Sequence, residues 1–389
     1  MALWIGQLIS SLGDQIFIIA FPILIFNITQ STTKMGLMGA IEQLPVVILG
    51  LFIGVIVDSM NRKKIIMIIV LLQLIVSFFL TSLIIMEYYS LLMLFSIGFL
   101  LSTFNQIYWT TQRAILPAII KKDDYKRANA QFTFINTITS VSGPTIAGIL
   151  IATIGVGFTM LFNNLTFIVL FVALLFMDIP PNTTKKIEGL GGVFKSIKEG
   201  FQCLISSKII MYGTIFTLVL NIGYGAIVIL LIPYLKNNLN LSTSSIGFVF
   251  SMGAAGGIFI SVVFSIFKMK YKTSTLLIIG ALLNGIGITT LIFTDSWLFT
   301  GISYFVAIAG ATFFNIIFMT LIQEKTPSEM LGRLFTTTKM IARIATPISM
   351  LLSGIIAEII GVSSVIFICG ISICIIGVLF IPIFKQIKE

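Results

Sequence analysis

The sequence predicts an all-α membrane protein with twelve transmembrane helices in two six-helix pseudo-repeats. Three observations carry that prediction. Of 389 residues, 57% are hydrophobic and 10% are charged, against roughly 25% charged in soluble domains; no soluble fold of this length hides so much apolar surface. Apolar runs long enough to cross a hydrocarbon core recur twelve times along the chain. The Lys and Arg residues gather in every second connection between those runs.

The runs lie near residues 2–28, 36–58, 65–86, 89–112, 130–154 and 157–178, then 209–235, 243–267, 273–294, 297–322, 333–358 and 361–383. Asn27, Gly155, Asp295 and Gly361 mark short turns between them. The first run is no secretory leader, since it lacks a basic n-region and a small-residue cleavage site and is too long.

The basic clusters are Arg62 to Lys64, Arg113 to Arg127, Lys185 to Lys208, Lys268 to Lys272, Lys325 with Arg333, and Lys385 with Lys388. The alternate connections hold only Lys34 and Lys236. That asymmetry puts the basic loops and both termini on the cytoplasmic side of the inner (plasma) membrane. Lys339 and Arg343, an i, i+4 pair inside the eleventh run, either snorkel to the cytoplasm or line an inner vestibule.

The longest polar stretch, 179–208, separates the sixth run from the seventh. Within it Val193, Phe194, Ile197, Phe201 and Leu204 recur at helical spacing beside Lys195, Lys198 and Glu199, the pattern of an amphipathic helix on a membrane surface. It divides the chain into an N-terminal six-helix bundle, 1–178, and a C-terminal one, 209–389. The halves are related: Ala147 to Val156 matches Ser353 to Val362 at five of ten positions and an offset of 206 residues, shared by Arg127 and Arg333. Two six-helix units repeated in parallel are the architecture of rocking transporters.

Several other classes are excluded. The net charge of +10 does not indicate nucleic acid, because the basic clusters are split among apolar runs and form no continuous face. Histidine is absent, which removes the commonest general base and metal ligand. Cys203, Cys369 and Cys374 have no paired spacing and read as small packing residues. Neither a nucleophile–base constellation nor a Gly-x-x-x-x-Gly-Lys-Ser/Thr phosphate loop is present, so no enzyme, metal, cofactor or ATP drive is expected. The expected partners are a small-molecule substrate, protons and membrane lipid, with the chain a monomer.

Three motifs narrow the reading. Gly54-Val55-Ile56-Val57-Asp58-Ser59-Met60-Asn61-Arg62-Lys63-Lys64 resembles the G-x-x-x-D-R-x-G-R-R/K signature of the major facilitator superfamily, with Ser59 and Asn61 at the usual arginine and glycine. Gly54 permits close helix approach, Asp58 suits a cytoplasmic gate contact, and Arg62 and Lys63 anchor the loop at an anionic leaflet. Gly143-Pro144-Thr145-Ile146-Ala147-Gly148 resembles the G-P-x-x-G-G element of exporting members, where proline bends the helix and Gly143 and Gly148 allow tight crossing. The Gln323 to Arg333 loop, with Gln7 and Ser11-Leu12-Gly13-Asp14, is similar to the macrolide-efflux and enterobactin-exporter branch. The resemblance implies the major facilitator fold and export by alternating access. Residues 91–112 carry no charge, so the buried fourth-span arginine of many proton antiporters has no counterpart.

Charged and amide side chains inside the runs mark the candidate site, because a charge at mid-membrane costs at least ~2.5–3.5 kcal/mol. Asp14 lies near the middle of the first run, with Gln7 and Ser11 on the same stripe at i, i+4, i+7 spacing. It is the first candidate for proton coupling or for binding a cationic substrate, with a structural carboxylate that caps another helix as the alternative; Glu42, nearer the outer end of the second run, is either a second proton-coupling site or a solvated rim charge. Glu358 reads as a charge at the outer rim. Candidate substrate contacts are Gln7, Ser11, Asn105, Trp109, Gln112, Asn136, Asn221, Tyr224 and Asn315, amides interleaved with aromatics that suit an amphipathic ligand. Interhelical hydrogen bonding is the alternative role for each amide. The expected function is proton-coupled efflux of hydrophobic or amphipathic, macrolide-like compounds, with export of a defined metabolite such as a siderophore as the alternative.

Overall fold

The computed structural model describes residues 2–50, 52–53, 57, 60–119, 125–177, 190–266, 272–293 and 295–386. Among them the chain forms α1 (Ala2–Thr29), α2 (Thr32–Leu44), α3 (Arg62–Ile85), α4 (Leu91–Ile119) and α5 (Tyr125–Leu175). These are followed by α6 (Leu190–Ser206), α7 (Lys208–Pro233), α8 (Thr243–Ile266), α9 (Thr273–Thr290), α10 (Trp297–Lys325), α11 (Ser328–Ile360) and α12 (Val362–Gln386). The described residues contain no strand. Gly54 and Asp58 of the gate motif, the start of the polar linker and Lys268 to Lys270 lie outside the described residues.

Ten helices among the described residues are long and apolar enough to cross a membrane. One of them, Phe134–Leu175, is 42 residues long. At 1.5 Å per residue that is about 63 Å, enough for two crossings of a ~30 Å core. Gly155 (φ 79°, ψ 168°) breaks it, and Gly361 (φ 88°) ends α11 in the same left-handed region, where glycine alone sits without a steric penalty. Two boundaries differ from expectation. α1 runs through Asn27 to Thr29, and the turn falls at Gln30 (φ 49°). α2 starts at Thr32 and passes into a π-helical turn, Pro45–Leu49, because Pro45 has no N–H to continue the ladder.

The surface is what lipid demands. Phe176, Leu92 and Ile359 are 81%, 76% and 76% exposed, a distribution that water would penalise. Between helices, lipid and protein are equally apolar, so packing and polar contacts must do the joining.

The chain clusters into two compact units: residues 1–27 with 41–190, and residues 28–40 with 191–389. In the first, Ile66, Ile69 and Val70 of α3 pack with Tyr108 and Ile115 of α4 and Leu170 and Leu174 of α5. A buried polar knot adds to this: Ser77 Oγ donates to Asn164, whose amide donates to Thr81 Oγ1 at 3.0 Å. Basic residues reach backbone carbonyls near the C-terminal ends of neighbouring helices, the end the axial dipole favours for cations. Arg62 donates to Ala114 O at 2.8 Å and Lys63 to Met177 O at 2.7 Å, while Asn61 caps α3 through the Lys64 N–H.

In the second unit the amphipathic pattern forms α6, and Glu199 there pairs with Arg333 of α11. Asn284 of α9 donates to Ala307 O of α10 at 2.8 Å. Residues 28–40 belong to this unit through α11: Thr32 Oγ1 donates to Gly354 O at 2.9 Å. Ser31 caps α2 by accepting from the Lys34 N–H and itself donates to the Glu358 carboxylate, which also accepts the Thr33 N–H at 3.1 Å. Glu358 thus closes the N-terminus of α2.

Candidate functional site

A cavity of about 280 Å³ lies within the first unit, lined by α1 to α5 and the π-helical turn. α1 contributes Asp14, Gln15 and Phe17, and the α2 segment contributes Glu42 and Gln43. α3 adds Gln73 and Ser77, one helical turn apart and so on one face; α4 adds Asn105, Gln106 and Trp109; α5 adds Asn163 and Phe167. Both acidic residues singled out from sequence therefore face one cavity, and among the described residues no Lys or Arg lines it.

Helix approach shapes this cavity. A β-carbon on Gly13 would run into Thr166 and Asn163, and one on Gly143 into the Gln15 side chain. These two glycines let α5 lie close to α1 on either side of Asp14. Pro144 and Gly148 are buried beside Gly143 in α5.

The polar contacts are uneven. Asn105 Nδ2 donates to Asp14 Oδ1 at 3.4 Å. Glu42 Oε1 and Gln73 Oε1 are buried and meet no donor from the described residues. Trp109 packs edge-on against Tyr108, with ring centroids 5.8 Å apart.

Gln7, Ser11 and Gln112 stand elsewhere. Each is at least 96% buried, and none lines the cavity. Gln7 donates to Ser11 Oγ at 3.0 Å and accepts from Tyr108 Oη at 2.8 Å and from the Gln112 amide. This knot fastens α1 to α4 and sets the orientation of the helix that carries Asp14.

The remaining sequence candidates are dispersed. Asn136 is half-buried on α5 outside the cavity. Asn221, Tyr224 and Asn315 belong to the second unit. Asn221 donates to Thr217 O at 2.8 Å and accepts from Thr346 at 3.4 Å; Tyr224 and Asn315 are exposed. Gln15, Gln43, Gln73, Ser77 and Asn163 were not anticipated. The Gln73–Ser77 pair, one turn apart in an otherwise apolar stretch, is the signal that points to the cavity-lining face of α3.

The described residues form an all-helical, multi-pass membrane protein with a polar cavity among the helices of its first unit. The chain is a member of the transmembrane secretion effector family of the major facilitator superfamily, whose model matches residues 1–388. It is 26% identical to the uncharacterized MFS-type transporter YfiS of Bacillus subtilis (strain 168), over 100% of this chain and 94% of that one. It is also 26% identical to the enterobactin exporter EntS of Escherichia coli O1:K1 / APEC, over 86% of this chain and 79% of that one. Among solved structures, a bacterial homologue of the iron transporter ferroportin in an inward-facing state superposes with a TM-score of 0.80 at 16% identity, covering 99% and 98% of the two chains. The nucleoside transporter NupG gives 0.76 at 13% identity, covering 100% and 99%. These are transporters and not enzymes, and so is this chain.

Proposed function

We propose that the protein exports amphipathic organic compounds by alternating access, driven by the proton gradient. The observation that carries this reading is the pairing of Asp14 and Glu42 in one cavity that no Lys or Arg among the described residues lines. A carboxylate inside a membrane is costly when ionised, so proton uptake and release there are tied to which side the cavity faces. A gradient supplies ~2.3 kcal/mol per charge per 100 mV, enough to drive accumulation. In this account Asp14 carries the proton, Glu42 is the second titrating group, and Asn105 and Trp109 meet the substrate.

The reading includes twelve spans in two six-helix halves, 1–178 and 209–389, joined by a cytoplasmic linker over 179–208, with both termini cytoplasmic. The shared left-handed glycines, Gly155 and Gly361, support the repeat. Gly54, Asp58, Arg62 and Lys63 then form the cytoplasmic gate, while Gly143, Pro144 and Gly148 supply a close helix crossing on α5. Export rather than import is supported by the exporter among the relatives, which also favours the second reading, a defined metabolite of siderophore type. Purified protein in vesicles with an imposed pH gradient tests the proposal: candidate compounds should accumulate only when the gradient is present and the carboxylates are intact.

A further inference from the structure

We propose that the cavity of the first unit recognises the N–H-bearing cationic head of an amphipathic amine, a primary ammonium or a guanidinium. The inference rests on the transport role proposed for this cavity and names the chemistry of what enters it. Asp14 and Glu42 supply negative charge, and no Lys or Arg among the described residues lines the space. Two carboxylates alone define no ligand. The second observation does: Gln73 is 3% exposed, lines the same cavity, and its Oε1 accepts no hydrogen bond from the described residues. Glu42 Oε1 is in the same condition, and from the described residues Asp14 receives the single 3.4 Å contact of Asn105.

Acceptors from three helices therefore lie in or just behind the cavity wall, two of them without a donor among the described residues. Buried acceptors are satisfied in nearly all folded structures, so the complementary ligand brings N–H groups as well as charge. A primary ammonium carries three such donors and a guanidinium five; a quaternary ammonium carries none. Trp109, Phe17 and Phe167 form the rest of the wall, apolar surface for the attached chain and ring faces that attract a cation. A cavity of about 280 Å³ is at the small end for organic ligands, sized for a head group.

Calorimetric titration of the purified full chain in detergent tests this, using octylammonium, octylguanidinium, octyltrimethylammonium and octanoate at neutral pH, with protein-free micelles subtracted. The first two should bind saturably and about tenfold tighter than the quaternary compound, and octanoate should give no saturable heat. Gln73→Leu should remove that preference, and Gln73→Glu should tighten primary ammonium binding. Equal affinity for octylammonium and octyltrimethylammonium on the wild-type chain, or saturable binding of octanoate, overturns the proposal even where a variant fails to fold. Equilibrium binding is read without any gradient. A chain that prefers primary ammonium but pumps without protons refutes the coupling alone. One that pumps with protons but shows no preference refutes this inference alone.

Discussion

Asn105 on α4 donates its side-chain amide to Asp14 on α1 at 3.4 Å, which joins an amide of the cavity to one of its acidic groups. A hydrogen bond to a charged group is worth about 1.5–3 kcal/mol. Asn105→Leu is therefore expected to express normally and to lower gradient-driven uptake by roughly tenfold, with Asn105→Gln recovering part of it. Vesicle uptake at wild-type rate in Asn105→Leu would remove this residue from the site.

Gly155 and Gly50 separate backbone strain from crowding. Beyond its own local backbone, neither has a described atom within 4 Å of where a β-carbon would stand. Gly155 has φ 79° and ψ 168°, whereas Gly50 has a helical φ of −54°. Gly155→Ala is expected to cost about 1–3 kcal/mol from backbone strain alone, and Gly50→Ala to be neutral or slightly stabilising. Thermal unfolding of the detergent-solubilised variants measures both, and equal melting temperatures would contradict the assigned turn.

The Ser31–Glu358 contact predicts coupled losses. Each of Ser31→Ala and Glu358→Ala is expected to cost about 1 kcal/mol by uncapping α2, and the double variant should cost less than the sum because the two groups act through one hydrogen bond. Strict additivity in unfolding experiments would show that the carboxylate does not act through Ser31.

How much of this was legible beforehand differs by feature. Helix existence was plain, because apolar length and the alternation of basic loops are coarse signals that survive boundary errors of a few residues. The Gly155 and Gly361 turns were also visible, since glycine is the residue such turns require. The site was legible only in part. Asp14 and Asn105 stood out as polar groups inside apolar runs, and they meet. Gln7, Ser11 and Gln112 carried the same signal, yet they pair with one another and with Tyr108. Helical spacing gives a residue's face but not whether a neighbouring helix closes over it. Gln73 was passed over because a lone glutamine in an apolar run looks like ordinary interhelical glue.

The topology has its own test. Single cysteines introduced at Lys34 and Lys195 in an otherwise cysteine-free chain should react with a membrane-impermeant reagent from opposite faces of the membrane. Reaction from the same face would break the twelve-span arrangement and the assignment of residues 179–208 to the cytoplasm.

The central claim, that Asp14 carries the coupling proton, is tested most directly by Asp14→Asn, which imitates the protonated carboxyl in size and neutrality. In reconstituted vesicles this variant should lose accumulation driven by a pH gradient and retain exchange driven by a substrate gradient, which needs no proton. Accumulation at wild-type rate against a gradient in Asp14→Asn would contradict the account and move the test to Glu42.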